Sequence, residues 1–200
     1  MYDSALSVTA ELFLWGVSVV AERFKSVLMD DAAMRRALIR MAHEIAERNH
    51  GTEDVVLLGI ARRGVPLAQL LQESLRHIEG SVIPCGELDT RSYRDDLPPV
   101  GQRRLAEPPF SVVNKKVVLV DDVLYTGRTV RAAIEAVFAM GRPKEVQLAI
   151  LVDRGHRELP IRADYVGKSV PTSHSEFISV RMPPFEEDMS VHLLEKTSDN

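Results

Sequence analysis

The chain has 200 residues, 45% of them hydrophobic, and a formal net charge of −4. That length and apolar share are enough to bury a core in one domain without staples, and the single cysteine, Cys85, excludes an internal disulfide framework. The acidic balance excludes indiscriminate coating of nucleic acid and leaves room only for a local basic patch, while no apolar run reaches the roughly twenty residues that cross a bilayer, so a cytoplasmic protein is expected.

Residues 1–22 carry the apolar run Leu12–Val20, preceded by Asp3 and by no Lys or Arg, so the charged start of a secretory signal is missing. The segment reads as an N-terminal extension, packed on the surface or disordered, ahead of a domain spanning 23–200. Asp30 and Asp31 can cap a helix running to Asn49, with Gly51 just beyond it. Met34, Leu38, Met41 and Ile45 share one face of that helix and Arg36, Arg40 and His43 the opposite one. On these residues alone the basic face reads as a solvated surface.

Residues 55–60 (Val-Val-Leu-Leu-Gly-Ile) form an unbroken apolar run of the kind found in a strand buried on both faces. Arg62-Arg63-Gly64 and a helix opened by Pro66 follow, and that helix ends near Gly80. A tight basic turn between a strand and a helix can hold an anion, but alone it is no better than an exposed turn. A strand over Val82 to Leu88 leads into residues 89–110, rich in Pro, Gly and Arg. Irregular segments longer than about 12–15 residues in a compact domain are usually functional or disordered.

The stretch from Lys116 to Thr129 organises the rest. Lys116-Val117-Val118-Leu119-Val120 reads as a buried strand that ends abruptly in Asp121-Asp122, placing both carboxylates at the strand's solvent-facing end. Val123, Leu124 and Tyr125 lead to Thr126-Gly127-Arg128-Thr129, which supplies two hydroxyls, a glycine and the start of a helix carrying apolar Val130, Ala133, Ile134 and Val137. Amides at a helix N-terminus favour a phosphate, and an acidic pair beside them suits hydroxyls or a magnesium ion, so the pattern points to a sugar phosphate. Neither G-x-x-x-x-G-K-[ST] nor G-x-G-x-x-G occurs here. The helix stops at Gly141, a strand covers residues 146–152, and Asp153-Arg154-Gly155-His156-Arg157 begins a charged block that runs to Gly167. It contains no metal-ligand spacing, so no protein metal cage is expected. Pro171-Thr172-Ser173, a strand over residues 177–180 and a return through Val191 to Leu194 follow.

The stretch Lys116 to Thr129 resembles the phosphoribosyl-pyrophosphate (PRPP) motif of type I phosphoribosyltransferases. Tyr93-Arg94-Asp95-Asp96 and the block 153–167 resemble, more narrowly, the pyrimidine-operon regulators of that family that are also uracil phosphoribosyltransferases. The resemblance covers residues 24–194. It implies an α/β fold with a mostly parallel sheet flanked by helices, a flap loop over 89–110 and a small hood. It implies that Asp121 and Asp122 hold the ribose, that Thr126 to Thr129 cradle the 5′-phosphate, and that Arg62, Arg63 and the flap's Arg94 meet pyrophosphate with Mg2+ bound to the substrate. Catalysis would fall to Arg63, Arg94, Asp121 and Asp122, PRPP binding to Arg62, Arg63 and residues 121–129, and base contact to Arg154 and Ile178. It implies uracil, PRPP and UMP as small-molecule partners, leader mRNA contacted by Arg40, His43, Arg48, Arg142 and Lys168, and a homo-oligomer. Two departures stand out. Tyr125 occupies the place where purine-type relatives carry a general-base aspartate, and Ile39 stands where regulatory relatives carry a hydroxyl residue. The alternatives are a UMP-sensing RNA regulator with little catalysis, and a transferase that binds no RNA.

Overall fold

The computed structural model describes residues 21–95 and 108–197. Among these residues, eight strands and three α-helices follow one another as β1 (Ala21–Met29), α1 (Asp31–Asn49), β2 (Val55–Ile60), α2 (Gly64–Glu79), β3 (Cys85–Leu88), β4 (Lys116–Leu124), α3 (Arg128–Met140), β5 (Glu145–Asp153), β6 (Tyr165–Ser169), β7 (Glu176–Arg181) and β8 (Ser190–Thr197). Five strands form a parallel sheet in the order β3-β2-β4-β5-β6, and β1-β8-β7 form a separate antiparallel sheet, the hood.

Alternation along the central strands explains the layers, because successive side chains point to opposite faces. Val55, Leu57, Val118, Val120, Ala149 and Leu151 pack with α1 and α2 on one face. Val56, Leu58, Ile60, Val117, Leu119, Leu148 and Ile150 pack with α3 on the other. Both faces are covered, so these strands are apolar throughout, as the unbroken runs in the sequence required. The side chain of Asp30 caps α1 by accepting from the Ala33 amide at 2.7 Å, and the helix closes on His50 in the left-handed region (φ 57°), one residue before the expected glycine. Burial lifts the half-buried Cys85 thiol at the start of β3 to about 11.

Strand order reverses between β2 and β4, and open parallel sheets bind ligands in the crevice at such a switch point. Pairing of β2 with β4 ends at Gly59↔Val120, whereas β4 continues along β5 to Leu124↔Asp153. The acidic pair lies in this overhang. It is thus not the exposed strand end expected from sequence: β4 runs on past it, and Asp121 is only 8% exposed. Two strands were not anticipated. β6 lies inside the charged block, and β1 pairs with β8 from Ala21 onward, so residues 21 and 22 belong to the hood. The rest of the proposed extension, residues 1–20, lies outside the described residues, as does the flap from 96 to 107.

Candidate active site

Two cavities meet at the carboxyl ends of β2 and β4. The larger, about 820 Å³, is walled by Arg62, Arg63, Arg94, Asp121, Asp122, Thr129 and, from the hood side, Pro184 and Phe185. The smaller, about 370 Å³, is lined by Tyr125 to Val130, with Arg94, Asp121 and Glu158. A cleft of this size with converging charged groups is the expected form of a small-molecule site.

Close contact between β2, β4 and α2 builds the first cavity. A Cβ on Gly64 would lie 2.4 Å from the Val120 carbonyl oxygen, and one on Gly59 would lie 2.5 Å from Gly64 O. Only glycines allow the Arg62–Arg63 turn to sit this near the acidic pair. Arg62 takes a positive φ of 79° in that turn. Arg63 reaches across the cleft to Glu186 of the hood at 2.5 Å, and its guanidinium, like that of Arg62, lies over the Phe185 ring. Its Nε is buried with no hydrogen-bond partner among the described residues.

Burial pushes the Asp121 carboxyl well above the usual carboxylate range, and the neighbouring Asp122 charge pushes it further. Burial raises Asp122 as well, opposed by its hydrogen bonds with Asp121 and Val123 and by Arg63. Two carboxylates crowded on a cleft floor favour any ligand that brings hydroxyl donors or a cation.

The second cavity is a helix N-terminus. Gly127 at φ 92° turns the chain into α3, and no acidic residue occupies the first helical turn. Amides at the start of a helix suit an anion, and here that of Arg128 donates to the Thr126 hydroxyl at 3.3 Å. The turn is held from outside by Arg157, which donates to the carbonyl oxygens of Leu124, Tyr125, Gly155 and Ile161 and pairs with Asp153 at 2.6 Å. Glu158 and Leu159 amides both donate to Thr126 O. Arg94 donates to the Thr129 hydroxyl, and Arg131 binds Tyr93 O at 2.8 Å, so the root of the flap rests on α3.

Arg62, Arg63, Arg94 and residues 121–129 are therefore brought together. Arg154 and Ile178 line neither cavity. Arg157, Phe185 and Glu186 were missed from sequence. Arg157 gave a signal only as part of a charged block, and the hood residues gave none, since Arg63 and Glu186 are 123 positions apart.

The basic residues assigned to RNA fall mainly along α1 and β6. Arg40 pairs with Glu44 at 2.6 Å and donates to the carbonyls of Val166 and Gly167, both at 2.8 Å. His43 is exposed beside it. Arg48 pairs with Asp164 at 2.5 Å and covers the Tyr165 ring, while Lys168 donates to Leu28 O. Arg142 is exposed three residues before Glu145, a carboxylate that Arg48 also reaches.

Comparison with known proteins agrees with this geometry. Residues 27–183 match the family model described as phosphoribosyl transferase domain. The chain is 56% identical over 176 residues to a bifunctional protein PyrR of Pelotomaculum thermopropionicum, covering 86% of this chain and 97% of that one. It is 52% identical over 177 residues to the bifunctional protein PyrR of Thermus aquaticus, covering 87% and 98%. Among solved structures, a hypoxanthine-guanine phosphoribosyltransferase of Bacillus anthracis aligns with a TM-score of 0.67 at 17% identity, over 87% of this chain and 99% of that one. The hypoxanthine phosphoribosyltransferase of Trypanosoma cruzi aligns at 0.68 and 18%, over 87% and 98%. Those two likenesses speak for the fold, and the family model and the close relatives together go further: this chain belongs to the phosphoribosyltransferases and, within them, to the bifunctional PyrR proteins.

Proposed function

We propose that the cleft transfers the phosphoribosyl group of PRPP to uracil, giving UMP and pyrophosphate, and that the same protein regulates pyrimidine genes by UMP-dependent binding of leader mRNA through α1. The observation that carries the transferase reading is the overhang of β4, with a buried acidic pair between two corners suited to anions, the Arg62–Arg63 turn and the α3 N-terminus. PRPP has that layout, with a diol between a pyrophosphate and a 5′-phosphate.

The C1′–O bond to pyrophosphate breaks as the C1′–N1 bond to uracil forms, the N1 proton passing to water, and C1′ passes through an oxocarbenium-like state. Asp121 and Asp122 orient the ribose and face the positive charge that develops there. Residues 126–129 anchor the 5′-phosphate, and Arg63 and Arg94 stabilise the negative charge growing on pyrophosphate. Tyr125 stands where purine-type relatives carry a general-base aspartate, and the loss of that carboxylate suits a base as acidic as uracil better than a purine. Among the described residues no cluster of three or more His, Cys, Asp or Glu could cage a metal. Asp121 and Asp122 nonetheless fit Mg2+, which commonly takes one or two carboxylates and completes its shell with substrate phosphates and water. When bound with PRPP it would neutralise charge on the leaving pyrophosphate.

Among the described residues no helix is long and apolar enough to cross a membrane, in keeping with a cytoplasmic enzyme, and a homo-oligomer is the proposed assembly. The deciding assay follows radiolabelled uracil into UMP with PRPP and Mg2+. No UMP formed at any concentration would refute the transferase reading. Filter binding of a pyrimidine-operon leader, with and without UMP, tests the second half. The parent should prefer the leader to a scrambled RNA, and His43→Ala should weaken that preference and its salt dependence. Equal binding of the two RNAs would leave the transferase alone.

A further inference from the structure

Arg154 was expected to touch the base; it is 6% exposed, and its Nε and one terminal nitrogen are turned inward. Its Nε donates to the Thr172 hydroxyl at 3.1 Å, and one terminal nitrogen donates to the carbonyls of Ser173 and Glu176 at 3.4 and 2.6 Å. These bonds tie the end of β5 to the loop that leads into the hood. They also fix the guanidinium against the Tyr125 ring, with Cζ 4.1 Å from its centroid. His156 meets the ring from its edge, centroids 6.1 Å apart and planes at 69°. A carbonyl can only accept, so the His156 Nε2, 2.5 Å from Thr172 O, carries a proton and is tied to the same loop.

Tyr125 is therefore held by a buried cation and braced by an imidazole, while 38% of it remains exposed. It is the one aromatic residue among the described residues lining the smaller cavity, and it stands in the chain between the acidic pair and the phosphate turn. The other aromatic residue of the cleft, Phe185, already carries Arg62 and Arg63. An aromatic ring fixed in advance gives up little freedom when a second flat ring stacks on it.

Resting on the uracil reading above, we propose that Tyr125 is the platform on which the pyrimidine ring stacks and that Arg154 is a positioning residue that acts through Tyr125 rather than on the base. Specificity for a single flat ring then comes in part from the Arg154–Tyr125 pair.

The test is calorimetric binding of UMP and of ribose 5-phosphate, which shares the sugar and phosphate but lacks the base. Tyr125→Leu should weaken UMP by about 5- to 150-fold, the range of a lost base stack, and ribose 5-phosphate by a clearly smaller factor. Tyr125→Phe should restore most of the UMP affinity lost in the leucine variant. Arg154→Lys should weaken UMP selectively, and the double variant Arg154→Lys/Tyr125→Leu should bind UMP no worse than Tyr125→Leu alone. Should Arg154→Lys fail to fold, the Tyr125 pair still decides. A UMP to ribose 5-phosphate ratio unchanged in Tyr125→Leu overturns the platform, and penalties that multiply in the double variant overturn the indirect role of Arg154. A parent protein that binds UMP no better than ribose 5-phosphate would overturn the uracil reading itself and this inference with it.

Discussion

Gly64→Ala perturbs the cleft through a single methyl group. That methyl would lie 2.4 Å from the Val120 carbonyl, whereas real Cβ contacts begin near 3.0 Å, so α2 and β4 must separate by at least 0.6 Å. The obstacle is backbone on an unbroken central strand and cannot rotate away. Overpacking of this kind costs about 1–3 kcal/mol. For a chain of this size that lowers the melting midpoint by about 2–12 °C. The same shift carries Arg63 away from Asp121 and Asp122, and a misplacement near 1 Å costs roughly a hundredfold in rate, so kcat/KM with uracil and PRPP should fall by roughly ten- to a hundredfold. Gly80→Ala is the control. Its site is open, but Gly80 has φ 73°, and forcing an alanine there costs about 1–2 kcal/mol. That variant should lose stability and keep its rate. Parental kcat/KM in Gly64→Ala would refute the claim that close approach of these elements sets the catalytic geometry.

Asp121→Asn with Asp122→Asn should leave the fold intact or slightly firmer, because the buried charges are unfavourable without ligand, and should weaken PRPP at least about tenfold, as expected when charge-assisted bonds worth about 1.5–3 kcal/mol are lost; unchanged affinity by calorimetry would undo the ribose assignment. Arg94→Ala should lower kcat more than it raises KM for PRPP if Arg94 acts as charge develops, and steady-state kinetics showing the reverse would make it a ground-state contact. Lys25 and the Ser173 amide hold the Glu176 carboxyl down at about 2. A depressed carboxylate pKa contributes stability that is complete above the ordinary value near 4.5 and lost as pH falls toward 2, so denaturant melts across this window should be less steep in pH for Glu176→Gln than for the parent. Parallel slopes would show that the pair adds nothing to the hood.

The central layers were legible because their residues obey local rules. The runs 55–60 and 116–120 must be buried strands, Asp30 and Gly80 cap helices, and Thr126 to Thr129 carry a turn, an anion site and a helix start within four positions. The acidic pair was recognised but placed too far out. Sequence shows where an apolar run stops and cannot show that β5 continues to pair beside it. β1 and β6 escaped notice because both are edge strands with mixed polar residues, whose pattern is set by only one strand neighbour. Arg154 was assigned to base contact, and only packing shows that its Nε and one terminal nitrogen bond Thr172, Ser173 and Glu176.

The grip of Arg40 on Val166 and Gly167 has an evolutionary consequence. β6 is the outermost strand of the parallel sheet, and open edges of that kind template pairing with other chains. By occupying two of its carbonyls, Arg40 works as an edge guard whether or not RNA is ever bound. A lineage that abandoned gene regulation would still be under pressure to keep this arginine, because its loss would favour aggregation. Persistence of Arg40 among relatives is thus a poor marker of RNA binding. His43, exposed on the same helix and taking no part in that guard, is free to drift once RNA is no longer a partner, and its presence or loss should track the regulatory role more faithfully.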